Sequence, residues 1–213
     1  NYMLLSESFE TDGNGTRYFA NQFSDGADVF FSRVIHDHQG FSTVSFGSDG
    51  IYVFGAEDTD NALNPLSAGS KGYLKLRNLD VRNMENLMLE IGLGATTNRI
   101  DPPDSIVIQY AYDGDIDNSS VDAGNYTTFA AFYGDAVNGN FRQDTDLDGT
   151  ANVGATQIHL SMQNFTFSIP GNGDTLSIRV VVSVNGTLEE MAMDLIQIYG
   201  DCLLYTSPSP RDA

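Results

Sequence analysis

The sequence predicts an all-β fold, a two-sheet antiparallel sandwich of jelly-roll or lectin-like form, on three observations. Apolar residues recur with period two or in short runs, Gly, Asn and Asp turn signals separate those runs, and no segment carries the spacing of a convincing amphipathic helix. The 213 residues are 41% hydrophobic, with 13 Phe and 10 Tyr, which is enough apolar surface for a sizeable core and too much for a disordered chain.

In chain order the expected strands cover residues 4–9, 16–23, 29–35, 51–54, 72–77, 86–93, 105–112, 126–133, 157–167, 175–184 and 191–199. The clearest is LSIRVVVSV, which places Leu176, Ile178, Val180, Val182 and Val184 on one face. SIVIQYAYD alternates in the same way through Ile106, Ile108, Tyr110 and Tyr112. DVRNMENLMLEI is ambiguous, because Met84, Leu87 and Ile91 also suit a helical turn; it reads as a short turn followed by a strand. The turns are DGNG at 12–15, SDG at 48–50, DGD at 113–115, GNG at 171–173 and NG at 185–186. With no repeat and no composition break, one domain is expected over residues 1–201. Residues 202–213, CLLYTSPSPRDA, look like a translated sequencing-library adapter and are set aside as an artefactual tail. Asn1 in place of Met leads to the expectation that the natural start, with any secretion signal, is missing.

Asp and Glu number 29 against 10 Lys and Arg, a formal charge of −19. Such a surface repels phosphates and anionic lipid, so neither nucleic acid nor membrane is an expected partner. No apolar run approaches the ~18–20 residues of a membrane span, so membrane insertion is not expected either. Cys202 is the sole cysteine and belongs to the tail, which excludes disulfides, thiol chemistry and Cys-ligated zinc from the remainder. High Asp and low Lys suit divalent cations and a salty exterior, so the expected location is secreted or cell-surface.

The most informative motif is DTDLDGT. Asp144, Asp146 and Asp148 alternate and Gly149 follows at once. Three carboxylates this close repel one another unless a cation sits between them, and Ca2+ accepts 6–8 oxygen ligands. An EF-hand is excluded: counted from Asp144, the twelfth position is Ala155, where a bidentate Glu is needed. The expected calcium ligands are Asp144, Asp146, Asp148 and the backbone carbonyl of Thr150. Glu10, after the opening strand, and Asp194, inside the apolar closing strand MAMDLIQI, are the candidates for a second calcium site. A bare carboxylate in such a strand is costly unless paired or metal-bound, and the first and last strands of a jelly roll commonly lie near each other. Glu57, Asp58 and Asp60 form a weaker acidic group in an Asp-rich turn.

No motif in the chain carries a recognisable catalytic constellation. Glu189 and Glu190 are adjacent and so point to opposite faces of a strand, unlike the facing carboxylate pair that glycoside hydrolysis needs. His36 and His38 lack a third metal ligand, His159 is isolated, and no Ser-His-Asp order or phosphate loop is present. Tyr110, Tyr112, Tyr126, Phe129, Phe132 and Tyr133 could line one sheet as a sugar-stacking platform, although the chain has no Trp and core packing accounts for most such rings. The Asn-x-Ser/Thr sequons at Asn14, Asn118, Asn125, Asn164 and Asn185 matter only in a eukaryotic secretory pathway.

Through SFETDGNGTRY, YVFGAEDTD, QDTDLDG, QNFTFSIPG and EEMAMDLIQIYG, the chain resembles a β-sandwich module of large secreted or surface proteins of marine and environmental bacteria. The likeness covers nearly all of residues 6–200. It implies companion domains in a longer chain and no catalytic role. The module pattern would have Asn after the closing Asp, where this chain has Leu195. The reading is therefore a non-catalytic, calcium-stabilised extracellular module for adhesion or for binding a polysaccharide or cell-surface glycan. The alternative is a polysaccharide hydrolase or its accessory domain.

Overall fold

The computed structural model describes residues 1–36, 49–66 and 71–203. Among the described residues, fourteen strands make two antiparallel sheets. They are β1 (Tyr2–Glu7), β2 (Tyr18–Ala20), β3 (Phe23–Ser24), β4 (Phe30–Ile35), β5 (Tyr52–Glu57), β6 (Gly72–Leu76) and β7 (Leu79–Asp80). There follow β8 (Met84–Ala95), β9 (Ser105–Tyr112), β10 (Thr127–Gly134), β11 (Phe141–Gln143), β12 (Gln163–Ser168), β13 (Thr175–Ser183) and β14 (Met191–Cys202). One sheet, here the terminal sheet, runs β12-β8-β14-β5-β4-β3, with β1 also paired to β14. The other, the central-strand sheet, runs β11-β10-β9-β13-β6-β2, with β7 also paired to β13. The sandwich class expected from the sequence is the class observed. The described residues contain one helical element, a 3-10 turn at Asp113–Asp115, and no helix long and apolar enough to cross a membrane.

The alternation in β13 and β9 places Leu176, Ile178, Val180, Val182, Ile106 and Ile108 between the sheets, all essentially inaccessible to solvent. Facing them from the terminal sheet are Phe31, Phe54, Leu89, Ile91, Leu93, Met191, Met193, Ile196 and Ile198. Phe9, Tyr18, Phe31 and Phe54 pack edge-on and tilted, with ring centroids 4.8–5.8 Å apart, and seal one part of the core.

Several expected strands are divided or displaced. Residues 16–23 split because Tyr18–Ala20 pairs with β6 in one sheet and Phe23–Ser24 with β4 in the other. Residues 157–167 split likewise: Gln157 makes only an isolated bridge to Arg142, and regular pairing begins at Gln163 opposite Leu93. The helical reading of Met84–Ile91 is excluded, for β8 starts at Met84 with Asn86 in a left-handed conformation (φ 51). Pairing at the end of β14 continues past Gly200 through Asp201 and Cys202, the latter opposite Met84.

Candidate functional site

β11 ends at Gln143 and delivers Asp144 to the sheet edge, where its N–H bonds the Ala131 carbonyl at 2.9 Å and its side chain is buried. The chain then turns sharply, with Leu147 at φ 58 and Gly149 at φ 93, the second being a conformation that glycine adopts without strain. One carboxylate oxygen from each of Asp144, Asp146 and Asp148 lies within 4.8 Å of the others. The loop is organised by its own side chains. Asp144 accepts the Gly149 N–H at 2.8 Å, and Asp148 accepts the Thr150 N–H and hydroxyl at 3.0 and 2.6 Å. Asn152, unremarked in the sequence, donates to Asp146 at 3.1 Å and accepts the Thr145 N–H and hydroxyl at 2.5 and 2.8 Å. That hydrogen bond holds the Asp146 carboxyl below the usual carboxylate range. Thr150, expected as a carbonyl ligand, directs its N–H and hydroxyl to Asp148. The donor set is all oxygen, which suits Ca2+.

The second expected pair, Glu10 and Asp194, binds neighbouring stretches of the chain entering β5, at a junction in the terminal sheet. β14 pairs with β5 through Met191–Met193, and then with β1 through Ile196–Gly200. Between these stretches the register of β14 against β8 shifts, and Leu195 adopts φ 45. The bulge aims Asp194, 1% exposed, at the chain entering β5: its carboxylate accepts the Asp49 and Leu195 N–H groups at 2.7 and 2.8 Å. Glu10 accepts the Ile51 and Tyr52 N–H groups at 2.9 and 2.8 Å through a single oxygen. Gly50 turns the chain at φ 84, a conformation that L side chains rarely adopt, beside the Glu10 carboxylate. Burial pushes the Asp194 carboxyl up to about 7; its two N–H bonds oppose that, and the nearby charges of Asp49 and Glu10 add to it. Arg33 is close but bonds the Phe9 and Glu10 carbonyls and stacks over Tyr52, so it does not neutralise the pair.

Two further acidic groupings, mostly buried, escaped the sequence. Asp101, Asp104 and Glu189 each offer an oxygen within 4.8 Å of the other two. Glu57, fully buried, has no hydrogen-bond partner on either carboxylate oxygen. The pairing of Met191 with Ala56 sets Glu190 across from it on the neighbouring strand, and one Glu190 oxygen is equally unpartnered. Burial first, then the charge of Glu190, pushes the Glu57 carboxyl up to about 9. Burial raises Glu190 to about 7. Of the acidic group Glu57, Asp58 and Asp60, Glu57 is buried and set apart, Asp60 is exposed beside Asp58, and Asp58 accepts from Asn61 at 2.9 Å. His38 lies outside the described residues and His159 is exposed.

The expected aromatic platform does not form either, since those rings divide between two faces. Tyr110, Tyr112 and Phe129 pack against the core, and Phe132 lies within it. Tyr126 faces outward, its ring 3.9 Å from the Arg179 guanidinium and its hydroxyl 2.8 Å from that of Ser177. On that outer face the register aligns Lys75, Arg179 and Gln109 across β6, β13 and β9. Two cations side by side would repel, but the β9–β10 connection folds over them. Lys75 donates to the Asp117 carbonyl, and Arg179 donates to those of Asp122 and Ala123 at 3.0 and 3.1 Å. Beside this roof lies a groove of about 320 Å³ lined by Phe19, Lys75, Arg77, Asn118, Ser119 and Val121, with Phe19 39% exposed.

No family model and no curated protein matches the chain. Among solved structures, the K2 cleaved adhesin domain of Lys-gingipain matches with a TM-score of 0.51 and 14% identity, over 92% of this chain and 98% of that one. The K3 cleaved adhesin domain of Lys-gingipain from Porphyromonas gingivalis gives 0.44 and 12%, covering 93% and 100%. The module TmCBM61 in complex with beta-1,4-galactotriose gives 0.44 and 11%, covering 92% and 95%. At 14% identity the K2 match shows a shared fold.

Proposed function

We propose that the chain is a non-catalytic extracellular module, part of a larger secreted or surface protein, that binds a polysaccharide or cell-surface glycan. The observation that carries this reading is the groove beside the β9–β10 roof. It combines an exposed ring, Phe19, with amide and cationic donors from Asn118 and Arg77, and with the Ser119 hydroxyl, which donates to Asp117 and so can accept. Sugars present both apolar ring faces and hydroxyl edges, and such a mixed lining meets both. The adhesin name of the K2 domain is consistent with this assignment.

Calcium has a stabilising role in the proposal. Asp144, Asp146 and Asp148 would hold one ion, and Glu10 with Asp194 would contribute to a second. Extracellular sites of this type bind with Kd of about 10⁻⁴–10⁻³ M, and free Ca2+ at 100 times Kd would add about 2.7 kcal/mol. EDTA is expected to lower the melting temperature, and added Ca2+ to restore it. A glycan array followed by calorimetry on the best ligand tests binding, and Phe19→Ala is expected to weaken that ligand by about 1 kcal/mol or more without unfolding the sandwich. Silence on the array, or full affinity in Phe19→Ala, would refute the groove. Release of reducing sugar would favour the hydrolase alternative.

A further inference from the structure

We propose that Asp101, Asp104 and Glu189 form a binding site for a hard divalent cation, calcium by preference, that ties together two connections crossing between the sheets. The topology brings these acids together. The segment from β8 to β9 leaves the terminal sheet at Ala95 and enters the central-strand sheet at Ser105. The segment from β13 to β14 makes the reverse crossing, leaving at Ser183 and entering at Met191. Ser183 pairs with Ser105 and Met191 with Ala95, so both crossings lie side by side on one rim of the sandwich. Asp101 and Asp104 belong to the first crossing and Glu189 to the second, and their nearest oxygens lie within 4.8 Å of one another.

A second observation points to a ligand at this place. Asp104 is fully buried, and its Oδ1 has no hydrogen-bond partner while its Oδ2 accepts the Asp101 N–H at 2.9 Å. A buried, unpartnered carboxylate oxygen is costly, and a cation removes that cost. No cationic side chain does so: the ion pairs of the described residues are Arg17–Glu7, Arg82–Asp80, Arg142–Asp135 and the Asn1 terminus with Asp201. Glu189, 8% exposed, is held in place by the Asn185 N–H on its Oε2 at 3.1 Å. Pro102 and Pro103 fix φ between the two aspartates and limit their separation. Asp101 is exposed, which leaves the site open to an entering ion and to water completing the 6–8 oxygen shell. The donors are all oxygen, which selects against zinc and copper.

The site shares no residue with the Asp144 loop or the Glu10–Asp194 junction, and it stands or falls separately from them. Calorimetric Ca2+ titration of the full chain tests it in an Asp146→Asn/Asp148→Asn background, where the loop is silenced. Asp104→Asn is expected to reduce the number of bound ions by one and to shrink the calcium-induced rise in melting temperature. Asp101→Asn, an exposed change that leaves the core intact, is expected to weaken that ion about tenfold or more, because ligand charge sets calcium affinity. Unchanged stoichiometry, affinity and melting response in Asp101→Asn would overturn the proposal, even if Asp104→Asn failed to fold. A calcium-independent melting temperature in the background protein would overturn it too, and would leave a shared proton to hold Asp104 and Glu189 together.

Discussion

Glu57 shows how a single residue can set the pH response of the molecule. Its carboxyl is raised from 4.5 to about 9, by burial first and then by Glu190, Asp28, Asp58 and Asp25. The folded state therefore holds this proton more tightly than the unfolded chain. The associated stability is fully present below about pH 4.5 and is lost as pH climbs toward 9. In EDTA, Glu57→Gln is expected to flatten that decline. The variant should gain about 2 kcal/mol on wild type between pH 5 and pH 8, after discounting for solvent relaxation. Urea melts at the two pH values check it; parallel pH profiles for both proteins would show that Glu57 is not the source. Leu195 is the second residue with a specific consequence. Its φ of 45 is unfavourable for a branched side chain and tolerable for Asn. Leu195→Asn is expected to stabilise the fold by about 0.5–1 kcal/mol, seen as a higher urea midpoint at unchanged slope.

At the scale of elements, the acidic loop after β11 is a preorganised turn whose keystone is Asn152. Its amide links Asp146 to Thr145 across the loop mouth. Asn152→Ala removes these bonds and is expected to cost about 1 kcal/mol without calcium. It should also reduce the calcium-dependent rise in melting temperature, because the loop would then be ordered at the ion's expense. An identical calcium response in the variant would place the stabilising ion elsewhere. The same scale explains the misplaced strand boundaries. Alternation marks which residues face inward but not which sheet they join. Residues 16–23 and 157–167 each pass from one sheet to the other, so each continuous pattern became two separately paired segments.

Across the whole molecule, a net charge of −19 on 213 residues sets the electrostatic background. Like charges spread over a compact surface repel, and the repulsion is screened over about 10 Å at 0.1 M salt. In EDTA, the melting temperature is expected to rise with NaCl by a few degrees between 0.01 and 0.5 M, which thermal scans would detect. A falling temperature would mean that attractive ion pairs dominate, contrary to the excess of acids over bases. Buried acids are densest where the connections cross at the Ala95–Ser105 rim. There Asp104 and Glu189 on one side, and Glu57 and Glu190 on the other, are buried together without a cationic side chain among the described residues.

The sandwich class, the alternating core of β9 and β13, the acidic turn at Asp144–Asp148 and the nearness of Glu10 to Asp194 were all legible in the sequence. Each depends on short-range spacing, or on one simple rule about terminal strands. The assignment of strands to sheets, the division of the aromatic residues between core and outer face, and the meeting of Asp101 and Asp104 with Glu189 were decided only by the tertiary structure. The physical reason is distance along the chain. Residues more than eighty positions apart meet because antiparallel pairing returns two crossings to the same rim, and no local pattern of residue types encodes that register.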